Sequence, residues 1–453
     1  MSKKTSISAL LTALLLNACS GTPERHSTDV GVSVPSHWST AGGPKGPVAE
    51  QWLRDFNDPA LSGLVREALS GNYDLKAAAA RVKAAREQSL IEGAARWPQL
   101  FFITGINREK DFETPESGSF DALFNLSWEI DVWGRIRAAQ RAAEQEADAT
   151  QADFDGARLS LAARTAQTYF ELAEARQQAD VAAQSIRDRQ TIVELVRGRF
   201  ARGLTRGLDL RLALTDLANA EAQLAQARNQ VQNSAKQLEL LLGRYPGGLL
   251  KENSNLPAPP AAIPAGLPSE LLERRPDIIA AFARLRAMDY RVESAKKALL
   301  PRITLSANGG ASSPALTELI DPRAAAWNFA LGLAQPLFTG GRLKGDIRLN
   351  EALTDEALNR YCGTALNAFR EVEQALAAER WLREQEQALK EAVEQTEASR
   401  KLAVYSYRQG LIEILTLLDS YRSTLNAQSA YLAVRRQLLS NRINLYLALG
   451  GGI

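Results

Sequence analysis

Histidine and cysteine are almost missing from this chain, whose 453 residues include two of each. Both histidines, His26 and His37, fall in an N-terminal stretch rich in Gly, Pro and Ser, which leaves no histidine for a catalytic or metal site in the rest of the chain. There is no GxSxG elbow, no P-loop, no dinucleotide fingerprint and no metal-ligand spacing. Acidic residues are common, but on long helical patterns they intermingle with Arg and Lys as solvated faces. Enzymatic chemistry and a resident metal or cofactor are therefore not expected. A net charge of +2 removes any compositional case for nucleic acid. Beyond the N-terminal segment, no stretch reaches the 18 or so uninterrupted apolar residues of a membrane helix. If this chain crosses a bilayer, strands must do it.

The two cysteines differ in meaning. Lys3 and Lys4 form a basic start, Ile7 to Leu16 a short apolar run, and Leu16-Asn17-Ala18-Cys19 resembles a bacterial lipobox. Residues 1–18 read as a lipoprotein signal peptide, and Cys19 as the lipidated mature N-terminus. Ordinary secretory cleavage after Ala18 is the alternative. The acyl chains would be the only covalent group, holding residues 19–57 to a leaflet as a tether. Ser20 follows Cys19 where an acid would signal inner-membrane retention, which favours the outer membrane. Cys362 sits alone on a helical pattern and reads as a packing residue.

The chain is a duplication. The pattern around Pro98 returns around Pro301, a spacing of 203 at which Asp74, Ala77 and Arg81 meet Asp277, Ala280 and Arg284. At a spacing of 207, Gly134-Arg135 answers Gly341-Arg342, Gly203-Leu204 answers Gly410-Leu411, and Leu242-Gly243 answers Leu449-Gly450. A period this long is a doubled half rather than a solenoid. Residues 58–243 form the first repeat and 269–453 the second, joined by a linker over 244–268 dense in Pro and Gly. Each repeat predicts a helix (about Asp58 to Arg96, and about 269–299), two strands, a long helix (about Val132 to Phe200, and about 342–407), and a shorter helix after a glycine break (about Asp209 to Leu242, and on to Leu449). The short pair together match the long helix in length, so a two-stranded rod is the natural packing.

Strands are expected over about 99–109, 119–131, 302–312 and 325–338. From Phe120 to Ile130 every even residue is apolar, and the odd ones are polar except Leu123. Trp327, Phe329, Leu331 and Leu333 repeat the pattern. Strands this long, with one apolar face and terminal tryptophans, suit a transmembrane barrel. Four strands cannot close one, so subunits must combine: two chains would give eight strands, three twelve.

Several motifs stand in series: Trp52-x3-Phe56-x-Asp58-Pro59-x-Leu61, Asp131-Val132-Trp133-Gly134-Arg135, Arg274-Arg275-Pro276-Asp277-Ile278, Thr339-Gly340-Gly341-Arg342, and Tyr407-x2-Gly410 before Leu415-Thr416-Leu417-Leu418-Asp419. In this order and spacing they resemble the outer membrane factors of tripartite efflux pumps, the TolC-like family, in its OprM-like lipoprotein branch. The resemblance spans nearly the whole mature chain. It implies an α+β chain in a homotrimer, with a twelve-stranded β-barrel in the outer membrane continued by a long α-helical coiled-coil barrel into the periplasm. The linker would belong to a belt around the helical barrel. The function implied is an exit duct for small molecules, working with a periplasmic adaptor and an inner-membrane transporter; a duct for protein secretion, or a lipidated periplasmic adaptor, is the alternative. By motif match, Leu415 supplies an apolar ring and Asp419 an acidic ring of the periplasmic gate. Asp209, Tyr407 and Arg422 match residues that hold the closed state. Thr416 stands where relatives carry a second acid, and Ile412 where some carry a clamping base.

Overall fold

The computed structural model describes residues 22–31, 33–40, 52–110, 117–250, 255–261, 264 and 266–452. Eight α-helices stand among the described residues: α1 (Pro59–Gly71), α2 (Tyr73–Ala94), α3 (Arg135–Ala201), α4 (Gly207–Leu241), α5 (Leu271–Arg274), α6 (Pro276–Lys297), α7 (Arg342–Gln409) and α8 (Ile414–Ala448). The strands are β1 (Gln99–Glu109), β2 (Ser117–Ile130), β3 (Arg302–Ser313) and β4 (Ala325–Ala334). At 67 residues, α3 is about 100 Å long. None of the described helices is long and apolar enough to cross a membrane.

Three sequence expectations need correction. The helix expected from Asp58 to Arg96 is two helices, broken at Asn72, whose Nδ2 donates to the Leu241 carbonyl at 3.0 Å while its Oδ1 accepts from Leu75 N. The helix expected over 269–299 breaks at Arg275, because Pro276 disfavours a helical conformation in the residue before it. The strand expected to reach 338 ends at Ala334, just before Gln335-Pro336, because Pro336 has no N–H to give a ladder.

Glycine closes the four principal helices of the two repeats at duplicated positions. Gly203 and Gly410 lie at φ +74° and +76°, Gly243 and Gly450 at +75° and +66°, where a side chain would be strained. In each case the glycine N–H reaches back three residues and the next N–H five, as in Gly410 to Tyr407 O (3.1 Å) and Leu411 to Ser406 O (2.9 Å). This is the Schellman arrangement, which satisfies carbonyls the helix end leaves open. Gly243 has a second constraint: a Cβ there would sit 2.6 Å from the Gly71 carbonyl oxygen.

The chain divides into two compact units. The first comprises Met1–Val32, Ala79–Asp153 and Asp277–Thr364. Its sheet is fully antiparallel in the order β1-β2-β3-β4. The register aligns Leu100 with Leu126, Phe102 with Phe124, Leu126 with Ala307 and Ala307 with Phe329, so apolar residues of all four strands share one face. Phe102 and Phe124 pack there with ring centroids 5.0 Å apart. The opposite face is polar, with Asn125 donating to Asn308 and Ser312 to Asp121 at 2.6 Å. Below the sheet, α3 and α6 approach closely through Ala149, Ala152, Ala280 and Ala283. The N-terminal segment is fastened to this unit by the Arg25–Asp289 ion pair (2.6 Å) and by Tyr361, whose hydroxyl donates to the Ser27 carbonyl. Burial pushes the Tyr361 phenol up to about 12.

The second unit comprises Ser33–Ala78, Phe154–Pro276 and Ala365–Ile453. Asp58 caps α1 by accepting from Ala60 N and Leu61 N, with Pro59 in the first helical position. The Pro-rich linker is held by charged side chains: near its start Gly248 N and Leu249 N donate to Glu239 at 2.6 and 2.8 Å, and further on its carbonyls accept from arginines. Arg435 donates to Leu256 O (2.7 Å) and Pro257 O, Arg383 to Pro260 O, and Arg442 to Ala261 O. Arg442 is almost wholly buried and pairs with Glu379 at 2.6 Å.

Candidate functional site

The residues that the motif match singles out lie on the helices that flank the turns after α3 and α7. In the second unit, an apolar cluster joins Ile192, Val193 and Val196 of α3 and Ala213 of α4 to Tyr407 of α7 and to Ile414, Leu417 and Leu418 of α8. Because α8 buries positions 414, 417 and 418, helical geometry turns positions 415, 419 and 422 outward. Leu415 is 57% exposed; Asp419 and Arg422 are exposed one and two turns further along the same stripe. An apolar, an acidic and a basic side chain thus stand in line on a face that this chain's own core does not cover.

Asp209 and Tyr407 come together; Arg422 does not join them. Asp209 closes the start of α4, accepting from the Thr205 hydroxyl and from Arg206 N at 3.3 Å. Tyr407 is buried at 3% exposure. Its hydroxyl lies near Thr205 without the geometry of a full hydrogen bond. Burial raises its phenol above the ordinary value; Thr205 and Arg199 oppose this, and the Asp209 charge adds to it. Arg422 makes no hydrogen bond or ion pair to other described residues of the chain. Cys19 lies outside the described residues.

Three arginines that sequence reading missed do the clasping. Arg199 of α3 lays its guanidinium over the Tyr407 ring, 5.1 Å from the centroid, and donates to the carbonyls of Tyr407 (3.0 Å) and Arg408 (3.4 Å). It therefore binds the open carbonyl end of α7, where a cation also meets the negative end of the helix dipole. Arg400 of α7 pairs with Asp188 of α3 and covers the Tyr421 ring at 5.3 Å. Arg189, 4% exposed, pairs with Asp216 of α4 at 2.6 Å and donates to Ser185. Burial raises the Tyr421 phenol and nearby Asp188 adds to the rise, while Arg400 counteracts it. The arrangement ties α3 to α4 and α7 by charge-assisted bonds and lays Arg400 of α7 over Tyr421 of α8. It holds helices in place. Among the described residues no group of His, Cys, Asp and Glu could hold a metal.

Comparison with known proteins agrees with this geometry. The model of the family "Outer membrane efflux protein" matches residues 64–244 and 267–451, close to the two repeats. The chain is 33% identical to the pyoverdine export outer membrane protein OpmQ of Pseudomonas putida, covering 97% of this chain and 96% of that one. It is 33% identical to the outer membrane protein OprJ of Pseudomonas aeruginosa, covering 98% and 95%. Among solved structures, the outer-membrane channel OprN superposes with a TM-score of 0.88 at 28% identity over 96% of this chain and 99% of that one. The open state of the Neisseria gonorrhoeae MtrE outer membrane channel superposes with a TM-score of 0.85 at 27% identity over 96% and 98%. The periplasmic adaptor reading is thereby set aside. With its doubled repeat, two-faced sheet and TolC-like fold, this chain belongs to the outer membrane efflux protein family and is an outer-membrane efflux channel.

Proposed function

We propose that three copies of this chain form a homotrimeric duct, gated at its periplasmic end by Leu415 and Asp419 and exporting small molecules. The observation that carries the reading is the sheet. Its apolar face is exposed on β1, β2 and β4, at Leu100 (63%), Phe124 (54%), Trp327 (83%) and Phe329 (62%), and half-buried on β3, and β1 and β4 lack outer partners among the described residues. Lipid covers such a face only when the edges are paired, which needs neighbouring copies. Family resemblance selects three copies and twelve strands. The lipid on Cys19 would anchor each copy, and a periplasmic adaptor with an inner-membrane transporter would supply the cargo. Names of relatives such as a pyoverdine exporter and a toluene efflux protein, both from Pseudomonas putida, support small-molecule cargo over protein secretion.

The outward stripe on α8 supports the gate. In a narrow symmetric opening, three Asp419 carboxylates would repel one another and disfavour anions, while Leu415 would exclude water. Planar-bilayer recording of the purified protein, with its oligomeric mass, tests the reading. Trimers with small cation-preferring channels are expected, and Asp419→Ala should raise the conductance. A monomer without channels would overturn the duct, and an unchanged conductance and selectivity in Asp419→Ala would overturn the gate.

A further inference from the structure

The duplication places a second polar feature in the first unit. A cavity of about 590 Å³ beneath the sheet is lined by matching positions of both repeats, among them Gln88 and Arg291 at a spacing of 203 and Arg135 and Arg342 at 207. Its charges are not matched. Arg291 answers Gln88, and Arg302 answers Gln99, so the second repeat carries two arginines where the first has amides. Arg135 is neutralised by Glu129 at 2.9 Å. The counterpart of Glu129 is Pro336, so Arg342 has lost the carboxylate that its twin retains.

The consequence is an excess of free guanidinium. The side chains of Arg302 and Arg342 make no hydrogen bond or ion pair with described residues, and Arg291 reaches only the Met288 sulfur, at 3.6 Å. Two carboxylates of the lining, Glu92 and Asp346, each take an amide donor instead, from Gln88 (3.2 Å) and Asn350 (3.3 Å). The third, Glu146, lies 3.7 Å from Arg284, which also pairs with Asp153. Arg302 alternates in step with Thr304, Ser306 and Asn308, the polar face of the sheet, so a closed barrel directs it to the pore and away from lipid.

We propose that Arg291, Arg302 and Arg342 form a binding station for oxyanionic solutes, carboxylates or phosphates, on the wall of the duct. The planar guanidinium fork matches a carboxylate or phosphate in two parallel hydrogen bonds. An external oxyanion at Arg342 takes the place that Glu129 holds against Arg135. The inference deepens the duct reading and rests on it.

Equilibrium dialysis of labelled citrate against the detergent-purified full-length protein tests the station. Saturable binding that weakens as salt rises is expected. Binding should be about tenfold weaker in Arg342→Gln and in Arg302→Gln, the loss of one charge-assisted bond each. Pro336→Glu, which rebuilds the first repeat's carboxylate beside Arg342, should weaken it to a similar degree without removing any arginine. Channel recording on the same samples separates the two levels of the argument. Channels without saturable citrate binding, or binding unchanged in all three variants, overturn the station and leave the duct standing. Absence of channels overturns the duct whatever citrate does.

Discussion

Replacing Arg199 with alanine should loosen the end of α7 specifically. The guanidinium donates to two carbonyls at that end and lies over the Tyr407 ring. A hydrogen bond from a charged donor is worth about 1.5–3 kcal/mol, and an exposed cation–π contact about 0.5–1 kcal/mol. Arg199 is half-exposed, so the low ends apply; counting only the 3.0 Å bond to Tyr407, because the 3.4 Å bond to Arg408 is long, gives about 2 kcal/mol. If local opening of the α7 terminus governs exchange, amides in peptides covering 404–414 should exchange roughly thirtyfold faster. Hydrogen-exchange mass spectrometry on the purified protein reads this directly. The Gly450 stop should keep its wild-type protection. Arg199→Lys should fall between, because an ammonium keeps the charge but not the planar fork that reaches two carbonyls while stacking. Protection of 404–414 within about threefold of wild type in Arg199→Ala would refute the reasoning, since that difference is below 1 kcal/mol.

Two further outcomes follow from the glycine stops and from a buried phenol. Gly203→Ala should cost about 1–2 kcal/mol in chemical denaturation, the left-handed penalty alone, because nothing lies within 4 Å of a Cβ there. Gly243→Ala should cost clearly more, because its Cβ would also meet the Gly71 carbonyl; equal costs would show that the close approach relaxes freely. Tyr361 holds its proton more tightly in the folded chain, with its phenol near 12 against 10 when unfolded. Its contribution is complete below pH 10 and is lost as the pH rises towards 12. The fall in melting temperature over that window should be shallower in Tyr361→Phe than in the wild type, and parallel curves would count against the burial argument.

Much of the fold was legible because its signals are local. Alternation over Phe120 to Ile130 sets the two faces of β2 with no knowledge of its neighbours, since side chains point to opposite faces at every residue. Gly203, Gly243, Gly410 and Gly450 announce helix ends because left-handed backbone favours glycine wherever it occurs. The break at Asn72 was not legible, since the bond that fixes it is to Leu241, 169 residues away. The candidate gate was readable in part: the pattern from Leu415 to Asp419 marks one exposed stripe, but Arg422 in the same stripe does not reach Asp209 or Tyr407 within the chain.

Sequence alone determined the duplication, the two faces of each strand and the glycine stops, since periodicity and backbone preference act over a few residues. Tertiary structure alone decided which of the many arginines are clasps. Arg189 finds Asp216 across 27 residues, Arg199 finds the Tyr407 carbonyl across 208, and Arg400 finds Asp188 across 212. Helices of 67 and 68 residues carry charges on every face. Which of those charges meet depends on the rotation and height at which the helices pack, set by the buried contacts of Ile192, Val196, Tyr407 and Leu417.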